Sequence, residues 1–185
     1  MRFTATSLSG VYRVEPELIE DERGFFARTF CAAAFVEAGL AFDDDASRPV
    51  QCSLAYNRRR GTLRGLHYRT SDHPEDKLVR CVRGAVYDVA LDLRRWSPSF
   101  GRWHAEPLSA ENRLALYLPS GVAHGYLTLE DDTELLYQMN APHVEGATRG
   151  VRWDDPAFGV AWPASPDVIS DRDATYPNYA LAVPS

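Results

Sequence analysis

The run Gly61-Thr-Leu-Arg-Gly-Leu-His-Tyr68 sets a guanidinium, Arg64, and an imidazole, His67, three residues apart, with Gly65 between them. In a regular strand those two side chains would face opposite sides. A glycine inside a strand marks a bulge or a close backbone approach, and a bulge re-aims a side chain. A guanidinium beside an imidazole suggests an anion held next to a proton-transfer group. A second imidazole, His124, ends the run Pro119-Ser-Gly-Val-Ala-His124, just past a tight turn.

These residues must be held by strands. Phe3 to Val14 reads as two short strands, and Pro49 to Asn57 as another. Lys77 to Val82 and Ala85 to Leu93 form a pair joined by the hairpin signal Arg83-Gly84. In the second of these, Val86, Asp88, Ala90 and Asp92 alternate with Tyr87, Val89, Leu91 and Leu93, the period of a half-buried strand. Trp103 to Leu108, Leu114 to Leu118, Tyr126 to Leu129 and Thr133 to Met139 follow. Thr29 to Gly39 has the spacing of a short helix stopped by glycine. Glu20 to Phe26 reads as a charged surface turn or an anion-gripping arm, and Arg58-Arg59-Arg60 as a basic turn. Beyond Met139 the chain is rich in Pro, Trp and Asp and reads as irregular with short helical turns. About nine or ten short strands with almost no helix predict an all-β sandwich or barrel.

The 185 residues show no linker or internal repeat, which predicts a single domain over 1–185. The net charge of −6 argues against non-specific binding to nucleic acid, yet a few local arginines can still make one pocket positive. Cys31, Cys52 and Cys81 are odd in number and widely spaced, so buried reduced thiols are expected rather than a disulfide framework or a thiolate zinc site. No signal-like apolar core and no membrane-length run is present, and a cytoplasmic protein is expected.

The Pro119 to His124 spacing resembles the second motif of cupins, jelly-roll barrels whose mouths hold small ligands. Metal cupins also carry a His-x-His pair. Here Tyr68 and Arg69 follow His67, so no metal site is expected. Without a metal, such a mouth would gather His67, His124, Lys77, Arg64, Tyr137 and Asp173. Bases, a phenol and cations together suit proton abstraction alpha to a carbonyl, with a cation or backbone N–H groups stabilising the enolate.

Seven motifs in order carry a closer likeness: Asp21-Glu-Arg-Gly-Phe-Phe26, Gly61 to Tyr68, Asp76-Lys-Leu-Val-Arg80, Gly84 to Arg94, Pro119 to Gly125, Arg149-Gly-Val-Arg-Trp-Asp-Asp-Pro156 and Trp162-Pro163. Together they resemble the dTDP-4-dehydrorhamnose 3,5-epimerase family over nearly the whole chain. The resemblance implies a cupin jelly-roll barrel with short peripheral helices. It also implies a homodimer, needing neither metal nor cofactor, that acts as an isomerase on a nucleoside-diphospho-4-keto-6-deoxyhexose. His67 would be the base at C3 or C5 and Asp173 its hydrogen-bond partner. Tyr137 would be the acid on the opposite face, and Lys77 would hold the enolate. Arg64 would bind the diphosphate, while Gln51 and His124 line the sugar pocket. Arg23 would reach the diphosphate or nucleotide of the neighbouring subunit, and Phe26 on the same arm would also bind substrate.

Two positions depart from the family pattern. Ser53 stands where an asparagine is frequent, and His143 stands where many members place a second tyrosine, a region bearing on whether C5 is processed. Hence a C3-only epimerase, a keto-isomerase and a non-catalytic sugar-nucleotide-binding cupin stand as alternatives.

Overall fold

The computed structural model describes residues 1–40 and 48–179. Its strands in chain order begin with β1 (Arg2–Ala5), β2 (Tyr12–Glu15), β3 (Leu18–Asp21), β4 (Gly24–Ala27), β5 (Gln51–Asn57), β6 (Thr62–Arg69) and β7 (Lys77–Arg83). They continue with β8 (Ala85–Asp92), β9 (Trp103–Ser109), β10 (Ala115–Leu118), β11 (Val122–Thr128), β12 (Thr133–Met139), β13 (Thr148–Gly150) and β14 (Val168–Ile169). Two short helices, α1 (Ala32–Glu37) and α2 (Asp171–Ala174), lie outside the sheets.

One sheet runs β1-β2-β10-β7-β12-β5 and the other β13-β6-β11-β8-β9, with β14 added parallel to β6. The sheets close on a core in which Val79, Leu116 and Leu135 of the first meet Val86, Ala90 and Val122 of the second. Residues two apart on a strand share a face, so Lys77 lies on the same inward side as Val79 and Cys81, and Tyr137 on that of Leu135. The result is the jelly roll that the sequence implies, polar at one end of its interior.

Both outer faces are also covered. Phe35 of α1 packs on the first sheet against Val14, Leu78 and Tyr117. On the second, Val151, Phe158, Trp162 and Tyr179 lie over Leu66, Val89, Leu91 and Ala123. This changes the expectation for β8, which is buried on both faces. Its inward carboxylates are partnered: Asp88 meets His124, and Asp92 accepts from Arg94, Ser97 and Ser99.

Among the described residues, fourteen strands exceed the expected number. The Glu20–Phe26 turn is a free-standing hairpin, β3–β4, whose Ile19 and Phe26 are exposed, so no buried face marks it as strands. β13 and β14 are too short for periodicity and exist by pairing with β6. β11 begins at Val122, ahead of the expected start at Tyr126, which places His124 inside the strand. Cys31 and Cys52 also differ from expectation. Cys81 is buried and its thiol is pushed up to about 11 by burial, Cys31 is partly exposed, and Cys52 is exposed on the outer face of β5.

The bulge expected at Gly65 is present. His67 pairs with His124 and Arg64 with Tyr126, so three steps along β6 match two along β11. The extra residue puts Arg64 and His67 on one cavity. Gly65 sits at φ 119°, and a Cβ there would lie 2.6 Å from Gly125 Cα and 2.7 Å from the His124 carbonyl oxygen. Gly65→Ala is therefore expected to lower stability by about 2–4 kcal/mol. The check is a lower midpoint in urea unfolding.

Candidate functional site

A cavity of about 290 Å³ opens between the sheets, near the lower end of ligand-pocket size. The first sheet supplies Gln51, Lys77 and Tyr137, and the second Arg64, His67 and His124. The loop after β12 adds His143. Seven residues singled out in the sequence thus share one lining, and the imidazole of His67 and the phenol of Tyr137 come from opposing sheets.

His67 is held from behind. Its Nε2 lies 2.8 Å from Asp173 Oδ1, and Asp173 Oδ2 accepts from the Gly65 backbone N–H at 3.1 Å. A carboxylate only accepts, so the shorter contact assigns the Nε2 proton to Asp173 and leaves Nδ1 its lone pair, with Arg172 Nη2 near Nε2 as a charge and not as a donor to it. Asp173 is 3% exposed at the start of α2, which Ser170 caps by accepting from the Asp173 backbone N–H. Burial works to raise the Asp173 carboxyl. The His67 hydrogen bond and charge, the Gly65 N–H and Arg172 outweigh it and leave the group below the usual carboxylate range.

Across the cavity, Tyr137 is held well above the usual phenol range by burial first and by neighbouring Tyr126 and Asp88. It therefore remains protonated at neutral pH, as a proton donor must. The Tyr126 hydroxyl donates to Asn57 Oδ1, which also accepts from Arg64 Nε at 2.8 Å. Arg64 Nη2 donates to the Tyr56 carbonyl, which fixes the guanidinium at the rim. Lys77 lies 3.3 Å from Glu75, and burial lowers its ammonium below the ordinary range. His124 sits edge-on to Tyr137, with ring centroids 5.8 Å apart, and its Nε2 lies 2.8 Å from Asp88.

Gln51 is partly committed to structure, because its Oε1 accepts from the His143 backbone N–H at 2.7 Å and its amide donates to Ser53. The structure does not bring Arg23 or Phe26 to this cavity within one chain. Both lie on the exposed β3–β4 hairpin, where Arg23 pairs with Asp21.

Four site residues were not found by sequence reasoning. Asp88 reads only as one position in the alternation of a half-buried strand. Glu75, Arg69 and Arg172 gave no local signal, since folding alone brings them together. Arg172 Nη2 lies 3.2 Å from His67 Nε2, over a further hollow of about 440 Å³ beside Arg64 and Ser170. A second hollow of similar volume adjoins Arg64 on its other side, lined by Tyr56, Arg58 and Arg59. Arg64 thus lines the cavity and both hollows. Among the described residues no group of three or more His, Cys, Asp or Glu is placed to hold a metal ion, and no helix is long and apolar enough to cross a membrane.

A family model described as dTDP-4-dehydrorhamnose 3,5-epimerase matches residues 5–180. The curated dTDP-4-dehydrorhamnose 3,5-epimerase of Methanothermobacter thermautotrophicus is 40% identical over 181 residues, covering 95% of this chain and 92% of its own. The crystal structure of the enzyme of that name from Elizabethkingia anophelis superposes with a TM-score of 0.89 at 34% identity, covering 97% of this chain and 99% of its own. ChmJ, a 3'-monoepimerase from Streptomyces bikiniensis in complex with dTDP-quinovose, gives a TM-score of 0.83 at 34% identity, covering 94% and 85%.

The hydrogen bond to Asp173 makes a spectroscopic prediction. At a pH where the imidazole is neutral, ¹⁵N NMR of His67 should show Nε2 protonated and Nδ1 bare. Asp173→Ala should lose that bias while the other histidines keep theirs. A mixed tautomer in the unaltered protein would contradict the hydrogen-bond assignment.

Proposed function

Because the chain belongs to the dTDP-4-dehydrorhamnose 3,5-epimerase family, a family of isomerases, we propose that its cavity epimerises a nucleoside-diphospho-4-keto-6-deoxyhexose through an enolate. One observation carries the reading: a carboxylate-backed imidazole and a high-pKa phenol face one sugar-sized cavity from opposing sheets, with Lys77 in the same lining.

The steps follow from the geometry. His67 Nδ1 takes the proton from the carbon alpha to the C4 carbonyl, and the bonding pair moves into the enolate. The Lys77 ammonium holds the developing O4 anion, which is what makes so weak a carbon acid accessible. Tyr137 returns a proton to the other face of the same carbon, inverting it, and the carbonyl reforms. Asp173 holds the imidazolium and fixes its orientation. Arg64 and Arg172 take the diphosphate, and the hollows beside them take the nucleoside. His143 lies in the same lining.

A second copy completes the reading. β5 is the edge strand of its sheet, and its outer face presents Cys52, Leu54 at 58% exposure and Tyr56 at 45%. The β3–β4 hairpin presents Ile19 at 67% and Phe26 at 73%. A homodimer covering both would carry Arg23 and Phe26 to the neighbouring cavity, the place the single chain leaves them short of.

The protein, incubated with dTDP-4-keto-6-deoxyglucose in deuterated water, should incorporate deuterium at C3. Label at C5 as well marks double epimerisation, and C3 alone marks a monoepimerase. His67→Ala should lower exchange by about 10³-fold or more while nucleotide binding persists. Binding without any exchange in the unaltered protein would leave a sugar-nucleotide-binding module instead. For the dimer, sedimentation should give twice the chain mass, and Leu54→Lys should shift it toward monomer. A monomeric unaltered protein would remove the role given to Arg23.

A further inference from the structure

We propose that Glu75 is a positioning residue that keeps Lys77 as a charged, fixed ammonium at the enolate oxygen and ties it to the loop bearing His143, an inference that rests on the epimerase reading above. Glu75 lies just ahead of β7 and is 7% exposed. Its Oε1 stands 3.3 Å from Lys77 Nζ and its Oε2 2.8 Å from Arg69 Nη2. Arg69, at the end of β6 and 8% exposed, donates from Nη1 to the Pro142 carbonyl at 3.1 Å, one residue before His143. The Glu75 backbone N–H donates to Ser120 Oγ at 3.3 Å. One carboxylate therefore joins the enolate-side cation, a second buried cation and the loop that faces the sugar.

The charge balance explains why a carboxylate stands here. Lys77 is largely removed from water, and Arg69 adds a like charge nearby. Both effects push the ammonium toward the neutral amine, burial most strongly. Only Glu75 opposes them, by its charge and by its hydrogen bond. An uncharged amine would lose most of its attraction for an enolate oxygen. The ammonium has three donors, and Glu75 engages one, fixing the rotamer and leaving two for the substrate. Both Glu75 oxygens are occupied by cations, so Glu75 itself takes no proton from the sugar.

Other ionisable groups face this cavity. They are the imidazoles of His67 on β6, His124 on β11 and His143 on the loop after β12, the guanidinium groups of Arg64 and Arg69 on β6, and the phenols of Tyr126 and Tyr137. Tyr137 on β12 is held well above the usual phenol range. Asp76, next in sequence, turns the other way and accepts from Tyr117 and the Ser120 backbone N–H. With Tyr126 and Tyr137 both held above the usual phenol range and Lys77 below its own, the alkaline fall of activity is assigned to Lys77. Removing the Glu75 charge moves that fall to lower pH, because the folded-state Lys77 then gives up its proton more readily.

The test is the pH profile of deuterium incorporation into dTDP-4-keto-6-deoxyglucose for the unaltered protein, Glu75→Gln and Glu75→Asp. Glu75→Gln should move the alkaline limb of kcat/KM down by about one pH unit or more. It should also lower kcat at neutral pH by about tenfold, less than the roughly 10²–10³ expected for losing an oxyanion donor itself. KM should change less than kcat. A folded Glu75→Gln protein whose limb stays in place, or whose activity falls equally at all pH values, overturns the proposal. Should Glu75→Gln not fold, Glu75→Asp decides. Its carboxylate is drawn back by one methylene, so a smaller shift in the same direction supports the role, and an unmoved limb removes it. Exchange in the unaltered protein with an unmoved limb sinks Glu75 alone, whereas no exchange at all takes the epimerase reading down with it.

Discussion

The structure depends on burying charge at one end of a barrel without leaving any of it unmatched. Three pairings meet that demand around the cavity: Asp173 with His67, Asp88 with His124, and Glu75 with Lys77 and Arg69. Each charge taken out of water costs several kcal/mol, offset only by good geometry with a partner, and removing one member of such a pair typically costs about 3–5 kcal/mol. Tyr137 meets the same demand in another way, by staying neutral. Stability and chemistry here are therefore set by the same contacts. The groups that would move protons are also those whose loss would leave a neighbour buried and alone.

That arrangement needs two strands to approach more closely than side chains permit. At the crossing of β6 and β11 both residues are glycine, and a Cβ on Gly125 would meet the Arg64 carbonyl oxygen at 2.8 Å. The close approach lets the Asp173 carboxylate reach a backbone N–H in the bulge while also gripping His67. It also places Arg64 and His67 toward one space, so that an anion site and a base lie side by side.

Much of this could be read from residues near one another in the chain. The Gly61–Tyr68 run carried Arg64, His67 and the bulge, because a glycine in a strand is a local signal with a local cause. Lys77, Tyr137, Gln51, His124 and His143 were found through motif order and fall in the expected cavity. Three things were hidden. Partners such as Asp88, Glu75 and Arg172 owe their roles to groups far away in sequence, and no periodicity marks them. The β3–β4 hairpin has no buried face, so alternation could not reveal it, and its Arg23 and Phe26 stand away from the cavity of their own chain. β8 looked half-exposed because its polar positions alternate, yet those carboxylates are turned inward, and the Trp- and Pro-rich tail seals the other side.

The carboxylate behind His67 comes from a residue 106 positions further along the chain. A ribosome therefore delivers the imidazole long before its counterpart, and the barrel can close around an unfinished dyad. Only when the last segment returns along β6 does the imidazole gain its anchor. A nascent or clipped chain lacking that return would present His67 without its carboxylate and without Arg172 beside it.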